Sequence, residues 1–167
     1  MNTLQDLFSE QLSDLYSAET QLVDALPKMA QAASSQELRE AFEEHLAQTR
    51  RHVERLDHVF SHTGIPRHQE ECEAMKGLIK EGEKVIQTPG SSAVKDAALI
   101  AAAQRVEHYE IAGYGTVAEY AGKLGFDEAK DLLGETLDEE RHTDEKLNGL
   151  ATGGIIDSGI NEAAMQQ

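Results

Sequence analysis

A chain of 167 residues has the length of one ordinary domain, enough to bury about two-thirds of its unfolded surface in a single core. With 40% hydrophobic and 28% charged residues it is neither membrane-like nor disordered, and its longest wholly apolar stretch, Ala97 to Ala103, falls far short of the ~20 residues that cross a bilayer. The 31 acidic against 15 basic residues give a formal charge of −16, which repels a phosphate backbone, so nucleic acid is not an expected partner; without a spanning stretch, and with Met1-Asn2-Thr3 unlike the basic start of a secretion signal, no membrane partner and a cytoplasmic setting are expected.

Apolar residues recur at the helical period, and no alternating runs bounded by tight turns mark strands, so the class is all-α. The first helix, about Leu4 to Ala33, carries Leu4, Leu7, Phe8, Leu12, Leu15, Leu22, Val23, Leu26 and Met29 on one face, with Pro27 placed to kink it near its end. Ser34 followed three residues later by Glu37 resembles a capping box and opens a second helix to about His62, which Gly64 and Pro66 end. A shorter amphipathic stretch, Glu70 to Gln87, shows Met75, Leu78, Ile79, Val85 and Ile86 on one side, and Cys72 at its start reads as a small apolar residue. Two further long helices run from Ala93 to Leu124, closed by Gly125, and from Asp127 to Leu150. Residues 1–150 form the bundle, and 151–167, with Gly153, Gly154 and Gly159, look like a mobile tail.

Connection lengths set the topology. Short links join the first helix to the second and the third long helix to the fourth, as antiparallel neighbours require. About thirty residues separate the two pairs, enough to return the chain along a helix ~45 Å long. This is the one-crossover, ferritin-like arrangement of a four-helix bundle, with a short fifth helix inside the crossover.

Several ionisable groups lie on the apolar faces. Glu19 is flanked by Leu15, Leu22 and Val23. On the second helix His45, Gln48, Thr49 and His52 fill two turns of the core stripe, with the histidines seven residues apart and so nearly on one line. Glu107 and Glu110 share a face with Val106, Ile111 and Tyr114, and His108 lies about 100° round from Glu107. The last long helix contains a literal Glu139-x-x-His142, the ligand pair of di-iron bundles. Its phase argues otherwise. At ~100° per residue, His142 lies roughly 130° from the centre of the apolar face, whereas Glu140 lies within roughly 30° and Asp144 within roughly 70°. His58, His62 and His68, near the exit of the second helix, read as solvated.

These groups agree in level as well as facing. Unneutralised carboxylates cost several kcal/mol per buried ion, more than a domain of 5–15 kcal/mol net stability carries easily, and a bound cation resolves the conflict. Oxygen-rich donors with one or two imidazoles and no thiolate favour iron or manganese, with zinc as an alternative. Tyr16 and Tyr114 are placed either to hydrogen-bond the ligands or to pack as aromatics.

The segments Leu12 to Glu19, Ala41 to Thr49, Ala97 to Gly115 and Leu137 to Leu147 resemble, in order and spacing, the YciF family of bacterial stress proteins over about residues 3 to 150. The resemblance implies a ferritin-like fold related to rubrerythrin, a cytoplasmic homodimer and a role under stress. It also implies a metal centre, with Glu19, His45, Glu107, Glu110, Glu140 and Asp144 as ligands and iron, in one or two atoms, as the metal. The small residues Ala97, Ala98, Ala101 to Ala103, Gly113 and Gly115 permit the close helix approach that a dimer interface needs, and the short helix also needs a surface to cover. The chain departs from the rubrerythrin pattern of Glu-x-x-His on the second and fourth long helices, reading His45-x-x-Gln48, Thr49-x-x-His52 and Glu140-x-x-Thr143. Whether Gln48, Thr49 or His52 joins the site stays open. The competing expectation is a metal-free structural or interaction protein whose inward carboxylates are protonated or hydrogen-bonded.

Overall fold

A computed structural model describes residues 1–153 and 159–166. Among these residues six helices and no strands occur: α1 Leu4–Ala32, α2 Gln36–Thr63, α3 Glu73–Gln87, α4 Ser92–Leu124, α5 Asp127–Thr152 and α6 Ile160–Met165. The long helices α1, α2, α4 and α5 form a bundle in which α1 packs on α2 and α4, and α5 packs on the same two. None of the described helices is long and apolar enough to cross a membrane.

Local chemistry fixes the helix ends. Thr3 and Asp6 form a reciprocal capping box at the start of α1, and α1 continues through Pro27 to Ala32. The α2 cap is Ser35, one residue later than the sequence spacing predicts, and it accepts from the Leu38 N–H. Ser34 is engaged elsewhere: the backbone N–H groups of Ser34 and Ser35 donate to the two carboxylate oxygens of buried Asp96 at 2.8 and 2.7 Å. This pins the α1–α2 turn to the first turns of α4, so α4 begins where α1 finishes and every neighbouring pair in the bundle is antiparallel. Gly64 and Gly125 close α2 and α4 in the left-handed region, at φ 67° and 78°, which a residue without Cβ adopts freely.

The crossover is half strap, half helix. Three serines spaced one turn apart on α1 hold the segment after Pro66: Ser9 donates to the Pro66 carbonyl at 2.6 Å, Ser13 accepts from the His68 N–H at 2.9 Å, and Ser17 accepts from the Cys72 N–H at 2.9 Å. Cys72 then caps α3, which therefore starts three residues later than expected, at Glu73. The apolar face of α3 lies against α1 and α4, with Met75 fully buried and Leu78, Ile79, Val85 and Ile86 packed on the core. The short helix thus finds part of its cover inside its own chain, Leu78, Ile79, Val85 and Ile86 being half-buried there. Some of the small residues of α4 face the inside: Ala102 and Ala103 are buried, and a Cβ on Gly113 would stand 2.7 Å from Leu15 Cδ2, whereas Ala101 is exposed.

Of the expected C-terminal tail, residues 154–158 and 167 lie outside the described residues. Within the remainder, Ile160–Met165 forms α6, which packs on α4 and α5 with Ile160 against the core.

The core is in two parts. One cluster contains Leu22, Leu26, Met29, Leu38, Phe42, Leu99, Ile100 and Leu147; the other contains Phe8, Leu12, Leu15, Leu56, Val59, Tyr114, Val117 and Leu133. Each fully buried aliphatic or Phe side chain contributes about 1.5–3 kcal/mol, so these clusters carry the stability. Between them lies a layer of buried polar groups.

Candidate metal centre

The layer draws on all four long helices. Glu19 comes from α1, His45 and His52 from α2, Glu107 and Glu110 from α4 and Glu140 from α5, and each is no more than 2% exposed. Their donor atoms fall into two groups, each gathered within 4.8 Å: His45, Glu107, Glu110 and Glu140 in one, Glu19, His52 and Glu140 in the other. Glu140 belongs to both. His45 Nε2 lies 3.3 Å from Glu107 Oε1 and its Nδ1 4.0 Å from Glu140 Oε2, while His52 Nδ1 lies 3.3 Å from Glu19 Oε1 and 2.9 Å from Glu140 Oε1.

Short as some of these separations are, they lack hydrogen-bond geometry. Both oxygens of Glu110 and of Glu140, Oε2 of Glu19 and of Glu107, both nitrogens of His45 and Nδ1 of His52 are buried without a hydrogen-bond partner among the described residues. Buried polar atoms are ordinarily satisfied, and each that is not costs about 1–3 kcal/mol. Ligand atoms held ~2.0–2.2 Å from one ion stand roughly 3–3.5 Å from each other, and the donor pairs here lie between 2.9 and 4.0 Å apart, so a small inward movement would close them on an ion. The donor set of carboxylates and imidazoles fits an oxygen-rich divalent metal site.

Supporting contacts orient the donors. His52 Nε2 is 2.6 Å from Glu139 Oε2, and Arg55 grips the same carboxylate in a fork at 2.9 and 3.0 Å. A carboxylate on one ring nitrogen fixes the imidazole so that the other, Nδ1, faces the layer, the arrangement usual for metal-bound histidine. Tyr114 donates to Glu19 Oε1 at 2.5 Å. Thr143, at the position where a Glu-x-x-His pair would place histidine, donates to Gln48 Oε1 at 3.3 Å.

Burial and mutual repulsion set the proton affinities. Burial drives Glu107 and Glu110 well above the ordinary carboxylate range, and the Glu140 charge pushes them further. Burial likewise raises Glu19, against the opposing pull of His52. For Glu140, burial works in the same upward direction, but His52 and His45 outweigh it and hold the carboxylate below its usual value. His45 is lowered by burial despite Glu140. Burial would lower His52 too, yet its contacts with Glu140 and Glu19 raise it to about 10. The partly exposed Glu139 is held at about 2, because Arg55 and His52 overcome its desolvation. Protons and one imidazolium thus neutralise the layer when no cation does so.

Five of the six expected ligands, Glu19, His45, Glu107, Glu110 and Glu140, come together in the two groups. Asp144 belongs to neither: it lies towards the rim, its Oδ1 3.5 Å from Nε2 of the exposed His108. At one turn beyond Glu140 it shares the helix face but not the depth. His52 takes the remaining place, and its spacing of seven from His45 was the signal for it. Glu139 reaches the layer by touching His52 from the side, while His142 is exposed, as the helical phase predicts. The two tyrosines part company. Tyr114 bonds Glu19, whereas the Tyr16 ring lies under the Arg67 guanidinium, 4.2 Å from its centroid.

A crossed-over bundle of four long helices with a histidine–glutamate layer at mid-height defines a ferritin-like protein. The chain belongs to the DUF892 family, described as a domain of unknown function, whose profile matches residues 3–164. It is 48% identical over 164 residues to protein YciF of Escherichia coli strain K12, covering 98% of this chain and 99% of that protein. The crystal structure of the E. coli stress protein YciF matches with a TM-score of 0.88 and 50% identity, over 90% of this chain and 95% of that one. YcfI from Rhodopseudomonas palustris matches with a TM-score of 0.86 and 41% identity, over 90% and 96% of the two chains.

Proposed function

We propose that this protein is a ferritin-like metal-binding protein of the bacterial stress response, holding two neighbouring metal ions that share Glu140. His45, Glu107, Glu110 and Glu140 would hold one, and Glu19, His52 and Glu140 the other. The observation that carries the reading is the convergence of buried donors that satisfy no hydrogen bond, in two groups with a common carboxylate. Iron is the metal the donor set favours, with manganese or zinc as alternatives. Iron held there would supply redox chemistry towards oxygen or peroxide. The chain's own part is to orient and insulate: the Arg55–Glu139 fork aims His52, Tyr114 steadies Glu19, and the apolar clusters above and below exclude water. The stress role is supported by the description of the E. coli relative, and a homodimer in the cytoplasm by the family resemblance.

Elemental analysis of protein loaded with Fe²⁺ or Mn²⁺ tests the metal. Two equivalents are expected in the native chain, and none in the group containing Glu107 after Glu107→Ala; undiminished stoichiometry in the variant would remove that site. A second reading, a metal-free structural protein, is favoured by the bonds the layer makes internally, His52 to Glu139 and Tyr114 to Glu19. It predicts melting that is unchanged by metal, where the first reading predicts a higher melting temperature.

A further inference from the structure

Away from the buried layer, the last turns of α2 meet the first turn of α5 at the surface. His58 and His62 stand one helical turn apart, and their rings stack nearly parallel, 7° between planes with centroids 6.0 Å apart. Both present Nε2 to the same side chain. Glu128, in the first turn of α5, receives His58 Nε2 at 2.9 Å on one carboxylate oxygen and His62 Nε2 at 3.3 Å on the other. All three side chains are about half exposed, so an ion from solution reaches them without opening the fold.

We propose that His58, His62 and Glu128 form a second, surface metal site for a late first-row divalent ion such as zinc. Two imidazoles at i and i+4 on one helix face are a natural chelating pair. The site differs in kind from the buried layer: two neutral nitrogen donors and one carboxylate suit zinc, copper or nickel, and the solvent side leaves the remaining coordination positions to water. The separations of 2.9 and 3.3 Å, the first a hydrogen bond when no ion is bound, lie close to the roughly 3–3.5 Å between ligands sharing one zinc ion, so an ion can replace the bonding proton without rearranging the helices. Since its donors come from two helices, a bound ion ties the end of α2 to the start of α5. The proposal stands independently of the function proposed for the buried layer.

Retention on immobilised Ni²⁺-iminodiacetate reads exposed histidines and not the buried layer, because a resin-bound ion cannot enter the bundle; variants then separate this pair from the exposed His68, His108 and His142. The untagged native chain is expected to be retained. His58→Ala and His62→Ala are each expected to elute at about tenfold lower imidazole, since losing one of two linked donors forfeits the chelate. A smaller step in the same direction is expected for Glu128→Gln. His68→Ala/His142→Ala, which removes two exposed histidines elsewhere, is expected to elute with the native chain. Elution of His58→Ala/His62→Ala with the native chain, loss of retention in His68→Ala/His142→Ala, or an unmoved Glu128→Gln would overturn the three-donor site.

Discussion

Replacing Glu110 by leucine is expected to make the metal-free protein more stable while weakening its metal response. Glu110 is fully buried and neither carboxylate oxygen has a hydrogen-bond partner among the described residues. Without a cation the side chain is kept neutral by burial, yet its polar atoms stay unsatisfied, a cost of about 1–3 kcal/mol. Leucine has a similar volume and no such cost, and buried ionisable groups replaced by apolar ones often leave a fold as stable or more so. For a chain of this size about 1 kcal/mol corresponds to roughly 2–4 °C, so Glu110→Leu is expected to raise the melting temperature by roughly 2–12 °C after exhaustive chelation. Adding Mn²⁺ at about 100 times its dissociation constant is worth about 2.7 kcal/mol per site, and the variant is expected to lose the contribution of the group containing Glu110. Thermal unfolding followed by circular dichroism, with and without metal, measures both effects. A metal-free variant that melts below the native chain, or a variant with the full metal response, would refute the reasoning.

Three further outcomes follow, two from the same layer and one from the turn that Asp96 pins. Between about pH 7.5 and 9, above the range in which the lowered His45 opposes the trend, the chelated protein is expected to lose stability: His52, raised to about 10, contributes stability that is complete below 6.5 and lost as pH climbs towards 10, and Glu107 and Glu110, raised well above the usual carboxylate range, act in the same direction. Glu139 and Glu140, both lowered, contribute nothing to the slope there, and metal ions, which displace the same protons, are expected to bind more tightly as pH rises; melting curves across this range with and without Mn²⁺ check both signs. Tyr114→Phe removes the hydrogen bond to Glu19 and is expected to weaken metal binding by about 10–100-fold with little change of fold, read by competition with a chromophoric chelator. Asp96→Asn keeps one acceptor for two backbone donors and is expected to cost about 1.5–3 kcal/mol by denaturant titration, without altering metal stoichiometry.

Much of the fold was legible because long amphipathic helices write their period into the sequence, and because the length of the link between α2 and α4 admits one crossover. Five layer residues were legible for a related reason: a charged residue such as Glu107 between Val106 and Glu110 at core spacing contradicts its own face unless something neutralises it. Depth was harder to read than direction. Asp144 has nearly the phase of Glu140 but lies one turn further on, and it ends at the rim beside His108. Contacts made across the bundle left no periodic trace. Nothing in the local sequence ties Asp96 to the amides of Ser34 and Ser35, or the serines of α1 to the strap after Pro66. Cys72, read as apolar filling, caps α3 as well.

Anomalous diffraction at the iron edge, from crystals grown with Fe²⁺ under anaerobic conditions, tests the central claim most directly. Two peaks inside the bundle are expected, one in each donor group with Glu140 between them. A map with density only at the surface, or none, would contradict the assignment of the buried histidine–glutamate layer as a metal centre.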